Sequence, residues 1–239
     1  MEDSELFAAA QRMPTSRRPL LGLTVLVVED SRFACEAMRL LCLRSGARIR
    51  RADCLKSARR HLQAYRPSVV IADLGLPDGS GTELIAECAE VNPRVGVILG
   101  TSGDLGRETE ALDSGADGYL QKPIATLGQF QAAILRHLPP DWQLRRPTPL
   151  SDEAVEPDML AFQDDLAHAA DILSEGDDAK SLDYVAQFVG GVARSIGDQT
   201  LADAAITLAT ARSEGQPLGT ATAAMAGLVQ DRLEKRVAI

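Results

Sequence analysis

Between Thr24 and His137, short runs rich in Val and Ile alternate with longer amphipathic stretches, and this alternation constrains the fold more than any other feature. The runs Thr24–Glu29, Ala47–Ala52, Ser68–Asp73, Val95–Thr101 and Gly118–Leu120 read as strands. The stretches Ser31–Ser45, Leu55–Tyr65, Thr82–Val91, Arg107–Ser114 and Leu127–His137 read as helices. Strands that are apolar along nearly their whole length must be buried on both faces, which calls for a parallel sheet covered by helices. The expectation is an α/β, doubly wound, five-stranded parallel sheet with ligands at the carboxyl ends of its strands.

After His137 the pattern stops. Pro139, Pro140, Pro147 and Pro149 crowd one short segment, where proline favours an extended spacer over another helix. Beyond it only helical periodicity remains, near Pro157–Ser174, Lys180–Ile196, Gln199–Ser213 and Thr220–Arg236, with breaks at Gly176, Gly197 and Gly215-Gln216-Pro217. Four such helices pack as an all-α four-helix bundle. The predicted organisation is an N-terminal tail (1–21), an α/β domain (22–138), a Pro-rich linker (139–150) and a helical bundle (151–239). With 45% apolar and 25% charged residues, the 239-residue chain has material for ordinary packed cores.

Charge excludes some roles. From residue 151 onward 16 acidic residues stand against six basic ones, so the bundle carries −10 and the rest of the chain +1, for a net charge of −9. An acidic half is ill suited to neutralising phosphates, and no nucleic-acid partner is expected. No apolar run approaches the roughly 18 residues of a membrane helix. The acidic start Met1-Glu2-Asp3 is unlike the basic start of a secretory signal, so no membrane contact and a cytoplasmic location are expected. Cys35, Cys42, Cys54 and Cys88 form no close pair and read as small buried apolar residues, not as zinc ligands or a redox couple.

The chemistry gathers at strand ends. The first strand closes in Glu29-Asp30-Ser31 and the third in Asp73. Neighbouring parallel strands bring these three carboxylates together, and a cluster of like charges needs a cation or a raised pKa. An oxygen-only cluster suits Mg²⁺. Two further strand ends deliver Thr101 and Lys122, a hydroxyl and an ammonium fit to face a phosphoryl group on a carboxylate. Ser102 is the alternative hydroxyl if the strand slips by one residue.

These residues resemble the receiver domain of two-component response regulators over about residues 22–138. Val27-Val28-Glu29-Asp30-Ser31 is similar to the family's acidic-pair motif, Asp73-Leu74-Gly75-Leu76-Pro77-Asp78-Gly79-Ser80-Gly81 to its phosphoacceptor loop, and Gly118-Tyr119-Leu120-Gln121-Lys122-Pro123 to its terminal motif. The resemblance implies a flavodoxin-like fold in which Asp73 takes a phosphoryl group from a sensor histidine kinase or phosphotransfer protein. It also implies that Glu29, Asp30, Asp73 and the Gly75 carbonyl hold Mg²⁺, and that Thr101 and Lys122 grip the phosphoryl oxygens. Tyr119 is then the residue that reports the switch, and Lys122-Pro123 a cis peptide. The family usually carries a bulky residue before its hydroxyl and Ala after it, whereas this chain has Gly100-Thr101-Ser102-Gly103.

In the bundle, Gln187-Phe188-Val189-Gly190-Gly191-Val192-Ala193-Arg194-Ser195-Ile196-Gly197 resembles the central helix of histidine phosphotransfer domains in degenerate form. Gly191, Ala193 and Gly197 match; Gln187 stands at the phosphorylatable histidine and Gly190 at a lysine. The resemblance implies a docking surface around Gln187, Gly190 and Gly191 for a kinase, a second receiver or another copy of the chain in a homodimer. A glycine pair within a helix serves close interhelix packing equally well. The expected function is a response regulator acting through protein contacts, with no separate enzyme activity beyond the receiver's self-phosphorylation and autodephosphorylation. The alternatives are a relay in which His168 of the bundle carries phosphoryl groups, and a transcription regulator.

Overall fold

The computed structural model describes residues 14–124, 126–139, 152–175 and 179–235. Five parallel strands, β1 (Thr24–Val28), β2 (Arg48–Ala52), β3 (Val69–Asp73), β6 (Val97–Ser102) and β7 (Gly118–Gln121), form one sheet in the order β2-β1-β3-β6-β7. β1 pairs with β3 and β3 with β6 in a register that sets Asp73 opposite Thr101. Helices α1 (Arg32–Ser45), α2 (Leu55–Ala64), α3 (Gly81–Glu90), α4 (Glu108–Asp113) and α5 (Leu127–Leu135) connect and cover the strands. A short antiparallel pair, β4 (Gly75–Leu76) with β5 (Gly79–Ser80), follows Asp73.

Alternate strand residues feed two cores. Val25, Val27, Ile71, Val97 and Leu99 pack with Phe130 and Ile134 of α5, and Leu26, Val28, Val70 and Ile98 pack with Leu84 and Ile85 of α3. Local chemistry fixes the boundaries. Ser31 caps α1 by accepting from the Ala34 amide, and Gly46 ends it at φ 84°. The tight entry to α3 requires Gly81, where a Cβ would overlap the Asp73 carbonyl.

The second half forms α6 (Met159–Glu175), α7 (Ala179–Ile196), α8 (Gln199–Ser213) and α9 (Gly219–Glu234) around one core that includes Leu166, Val185, Phe188, Val192, Leu208 and Met225. This is the expected α/β sheet followed by an all-helical unit. Gly190 serves interhelix packing: its Cβ position would lie 3.4 Å from Ala205 on α8. Among the described residues no helix is long and apolar enough to cross a membrane.

Several details differ from the sequence expectation. Leu20, placed in the tail, is fully buried in the core, and the Leu20 amide donates to the Ser45 carbonyl. A buried leucine contributes about 1.5–3 kcal/mol, enough to hold this segment down. Residues 152–155, assigned to the bundle, lie against the α/β unit instead. Glu153 pairs with Arg44, and its carbonyl accepts from the Leu127 amide; Val155 packs on the α5-side core. β6 continues one residue beyond Thr101. Cys35, Cys42 and Cys88 are buried, whereas Cys54 is only half-buried at the start of α2. The expected linker falls largely outside the described residues, as does Gly176.

Candidate functional site

The ends of β1, β3 and β7 bring Glu29, Asp73 and Lys122 into one buried cluster. The Lys122 Nζ donates to Glu29 Oε2 at 2.7 Å and to Asp73 Oδ2 at 2.8 Å. All three side chains are at most 10% exposed. Asp30 completes the group: one carboxylate oxygen each from Glu29, Asp30 and Asp73 lies within 4.8 Å of the others. Burial pushes the Asp30 carboxyl up to about 7, reinforced by the charge of Asp73, and burial raises Glu29 in the same direction. The two carboxylates raise Lys122 above the ordinary lysine value against the desolvation that opposes them. The cluster holds three acids against one ammonium. Its all-oxygen donor set, with the Gly75 backbone beside it, fits a small hard cation such as Mg²⁺.

The two candidate hydroxyls part company. Thr101 is turned into the sheet, where its Oγ1 donates to the Leu120 carbonyl at 2.7 Å. Ser102, the last residue of β6, lines the cavity shared by Asp73 and Lys122, and its Oγ accepts from the Asp104 amide. The structure therefore puts Ser102, not Thr101, on the cavity wall; the strand's extra residue is the reason. Tyr119 is half-buried, with its hydroxyl 3.4 Å from the Asp104 carbonyl. The Lys122-Pro123 peptide is cis, as is Asn92-Pro93.

Helix α7 lies directly over this cavity. Gln187 stands so close to Gly75 that a Cβ there would overlap its carboxamide. Gly103 approaches Gly191 so closely that a Cβ on Gly103 would lie 2.9 Å from the Gly191 Cα. A Cβ on Gly191 itself would meet open space, so the close approach is demanded at Gly103. Arg194 pairs with Asp104 at 2.7 Å, and its Nε is buried with no acceptor among the described residues. The Tyr184 hydroxyl donates to Asp30 Oδ2 at 2.7 Å.

Helix α6 adds a second clamp. Asp165, 2% exposed, accepts from the Ser31 hydroxyl at 2.7 Å and from the Arg32 and Phe33 amides at 2.7 and 3.1 Å. It thereby caps α1 from outside the sheet, satisfying amides that a helix start leaves free. Phe33 reaches into the bundle core and meets Phe162 edge-on, ring centroids 6.2 Å apart. Sequence reasoning missed Asp165, Tyr184, Arg194 and Phe33 as contact residues. One signal was available: Asp165 lies on the apolar stripe Phe162, Leu166, Ala169, where an acid needs a partner. His168 does not line the Asp73 cavity; it packs edge-on against Phe188 and Tyr184 and lines a neighbouring cleft of about 1000 Å³ that shares Glu29 and Asp30 with that cavity.

Comparison with known proteins bears on this arrangement. Residues 25–134 match the model of the response regulator receiver domain. That stretch is a receiver domain. The chain is 33% identical over 117 residues to the KDP operon transcriptional regulatory protein KdpE of Escherichia coli, covering 47% of this chain and 52% of that protein. It is 32% identical over 116 residues to the transcriptional regulatory protein KdpE of Mycobacterium tuberculosis, covering 47% and 51%. The chain thus spans about half the length of these relatives. Among solved structures, the chemotaxis response regulator CheY4 of Vibrio cholerae matches at 22% identity and a TM-score of 0.44, covering 48% of this chain and 98% of that one. The receiver domain assigns the first half to two-component signalling.

Proposed function

We propose that the chain is a response regulator switched by phosphorylation of Asp73, with the helical bundle as its output. The observation that carries this reading is the buried Glu29–Lys122–Asp73 bridge with Asp30 beside it. Phosphoryl transfer needs positioning and charge neutralisation more than covalent machinery. An Asp73 carboxylate oxygen attacks the phosphorus of a phosphohistidine in a sensor kinase or phosphotransfer protein; the P–N bond breaks and its electron pair stays on the imidazole nitrogen. Lys122 offsets the charge gathering on the phosphoryl oxygens, and Ser102 offers them a hydroxyl. Glu29, Asp30, Asp73 and the Gly75 carbonyl are the groups that would hold Mg²⁺, which when bound supplies further charge neutralisation. Tyr119, beside Ser102 and Asp104, is placed to sense a change at that hydroxyl.

The bundle acts by protein contact. Its resemblance to a phosphotransfer domain ends at Gln187, because a carboxamide nitrogen lacks the basic lone pair that lets imidazole accept a phosphoryl group. The test is labelling with acetyl phosphate and Mg²⁺, followed by intact mass. Wild type should gain one phosphoryl group and Asp73→Asn none; a full equivalent on Asp73→Asn refutes the assignment. Label that is base-stable and acid-labile would instead place a phosphoryl group on histidine and promote His168.

A further inference from the structure

Ser31, Gly75, Gly103 and Asp104 line the cavity at Asp73, and Gln187, Gly191 and Arg194 of α7 close over it. The cavity left beneath it is about 20 Å³. One water needs roughly 10–15 Å³ on the same scale, so there is room for one or two waters. A phosphoryl group adds a phosphorus and three oxygens to the Asp73 carboxylate. The docked and phosphorylated states therefore exclude each other unless α7 moves.

We propose that the α7 face carrying Tyr184, Gln187, Gly191 and Arg194 is a receiver-binding surface, whose partner is the unphosphorylated Asp73 pocket of its own chain. It occupies that pocket as a non-transferring substitute for a protein phosphodonor. This rests on the reading of Asp73 as the phosphoacceptor. Three observations carry it. Gln187, which the resemblance to phosphotransfer domains sets in place of their histidine, is the α7 residue against Gly75 beside Asp73. The contacts on either side are matched in kind: Arg194 to Asp104, the Tyr184 hydroxyl to Asp30, and glycine to glycine. The apolar anchor, Phe33, comes from the helix that follows the acidic pair and is 6% exposed within the bundle core.

Coupling between the two events is reciprocal. Whatever factor docking takes from phosphorylation, phosphorylation takes from docking. The closed state is mostly polar and leaves the Arg194 Nε unsatisfied, a modest cost that keeps opening within reach. An opened chain then presents the α7 face outward, free to bind an unphosphorylated receiver.

The experiment uses the full chain and three single variants outside the carboxylate–lysine cluster: Phe33→Ala, Asp165→Ala and Arg194→Glu. Small-angle scattering with Mg²⁺, with and without beryllofluoride, reads opening; intact mass after acetyl phosphate reads labelling; circular dichroism confirms that each variant is folded. Wild type should be compact and expand with beryllofluoride, whereas the variants should be expanded already and label at least tenfold faster. Wild type that binds beryllofluoride, seen by fluorine NMR, without expanding overturns the proposal. So do three folded variants that all stay compact, or expanded variants that label no faster than wild type. Expanded variants that take no label at all overturn the Asp73 reading, and this proposal with it.

Discussion

The Tyr184 hydroxyl donates to Asp30 Oδ2 at 2.7 Å across 154 positions of sequence, so a bundle side chain holds one of the oxygens that a metal would need. A hydrogen bond to a charged group is worth roughly 1.5–3 kcal/mol, and it must be given up or rearranged when Asp30 coordinates a cation. Tyr184→Phe should therefore raise Mg²⁺ affinity about tenfold, since 1.4 kcal/mol is a factor of ten. Calorimetric titration of the metal-free protein decides this, and equal dissociation constants for the two forms would contradict it.

Metal-free protein should lose stability as pH rises. Burial lifts the Asp30 carboxyl from its ordinary 3.8 to about 7. A group whose pKa is raised by folding contributes stability that is full below its unfolded pKa and is lost as pH climbs through the folded value. In EDTA the Tm should therefore fall between pH 5 and pH 8. Saturating Mg²⁺ should remove most of that fall, and Asp30→Asn should flatten the slope in EDTA. A Tm that rises over this window without metal would show that the cluster is not strained.

Ser102 and Thr101 should differ in their effect on labelling. Ser102→Ala removes a hydroxyl from the Asp73 cavity and should slow labelling by acetyl phosphate about 10- to 100-fold, while losing the bond from the Asp104 amide costs about 1 kcal/mol of stability. Thr101→Ala removes the bond to the Leu120 carbonyl and should cost about 1 kcal/mol of stability, leaving the labelling rate within about twofold. Intact-mass kinetics separate the two, and denaturant unfolding reads the cost of each lost bond. Reversed phenotypes would restore Thr101 as the working hydroxyl.

The legibility of these features in the sequence follows their physics. Val25–Val28, Val69–Ala72 and Val97–Leu99 announce a buried parallel sheet because a strand covered on both faces has no polar alternation to hide. Glu29, Asp30, Asp73 and Lys122 are legible for the same reason, since strand ends of a parallel sheet share one edge. Thr101 against Ser102 is not, because a single residue of strand extension decides which hydroxyl faces the cavity. Leu20 is hidden in a segment too short for periodicity to show. The docking of α7 is hidden more deeply. Tyr184, Arg194 and Phe33 each look ordinary within their own helices, and only the assembled fold pairs them with Asp30, Asp104 and Phe162.

The glycine contact between the halves gives a test that is asymmetric by construction. A Cβ on Gly103 would lie 2.9 Å from the Gly191 Cα, which backbone cannot yield without separating the two surfaces, whereas a Cβ on Gly191 meets open space. Gly103→Ala should loosen docking and Gly191→Ala should leave it intact. The amides of Arg32 and Phe33 report on this directly, because both donate to Asp165 of the bundle. Amides in the first turn of a helix have no partner within it, so their protection comes from docking. Hydrogen exchange at these two amides should speed up at least tenfold in Gly103→Ala and stay within about twofold of wild type in Gly191→Ala. Equal protection in both variants would mean that the two halves do not meet at these glycines in solution.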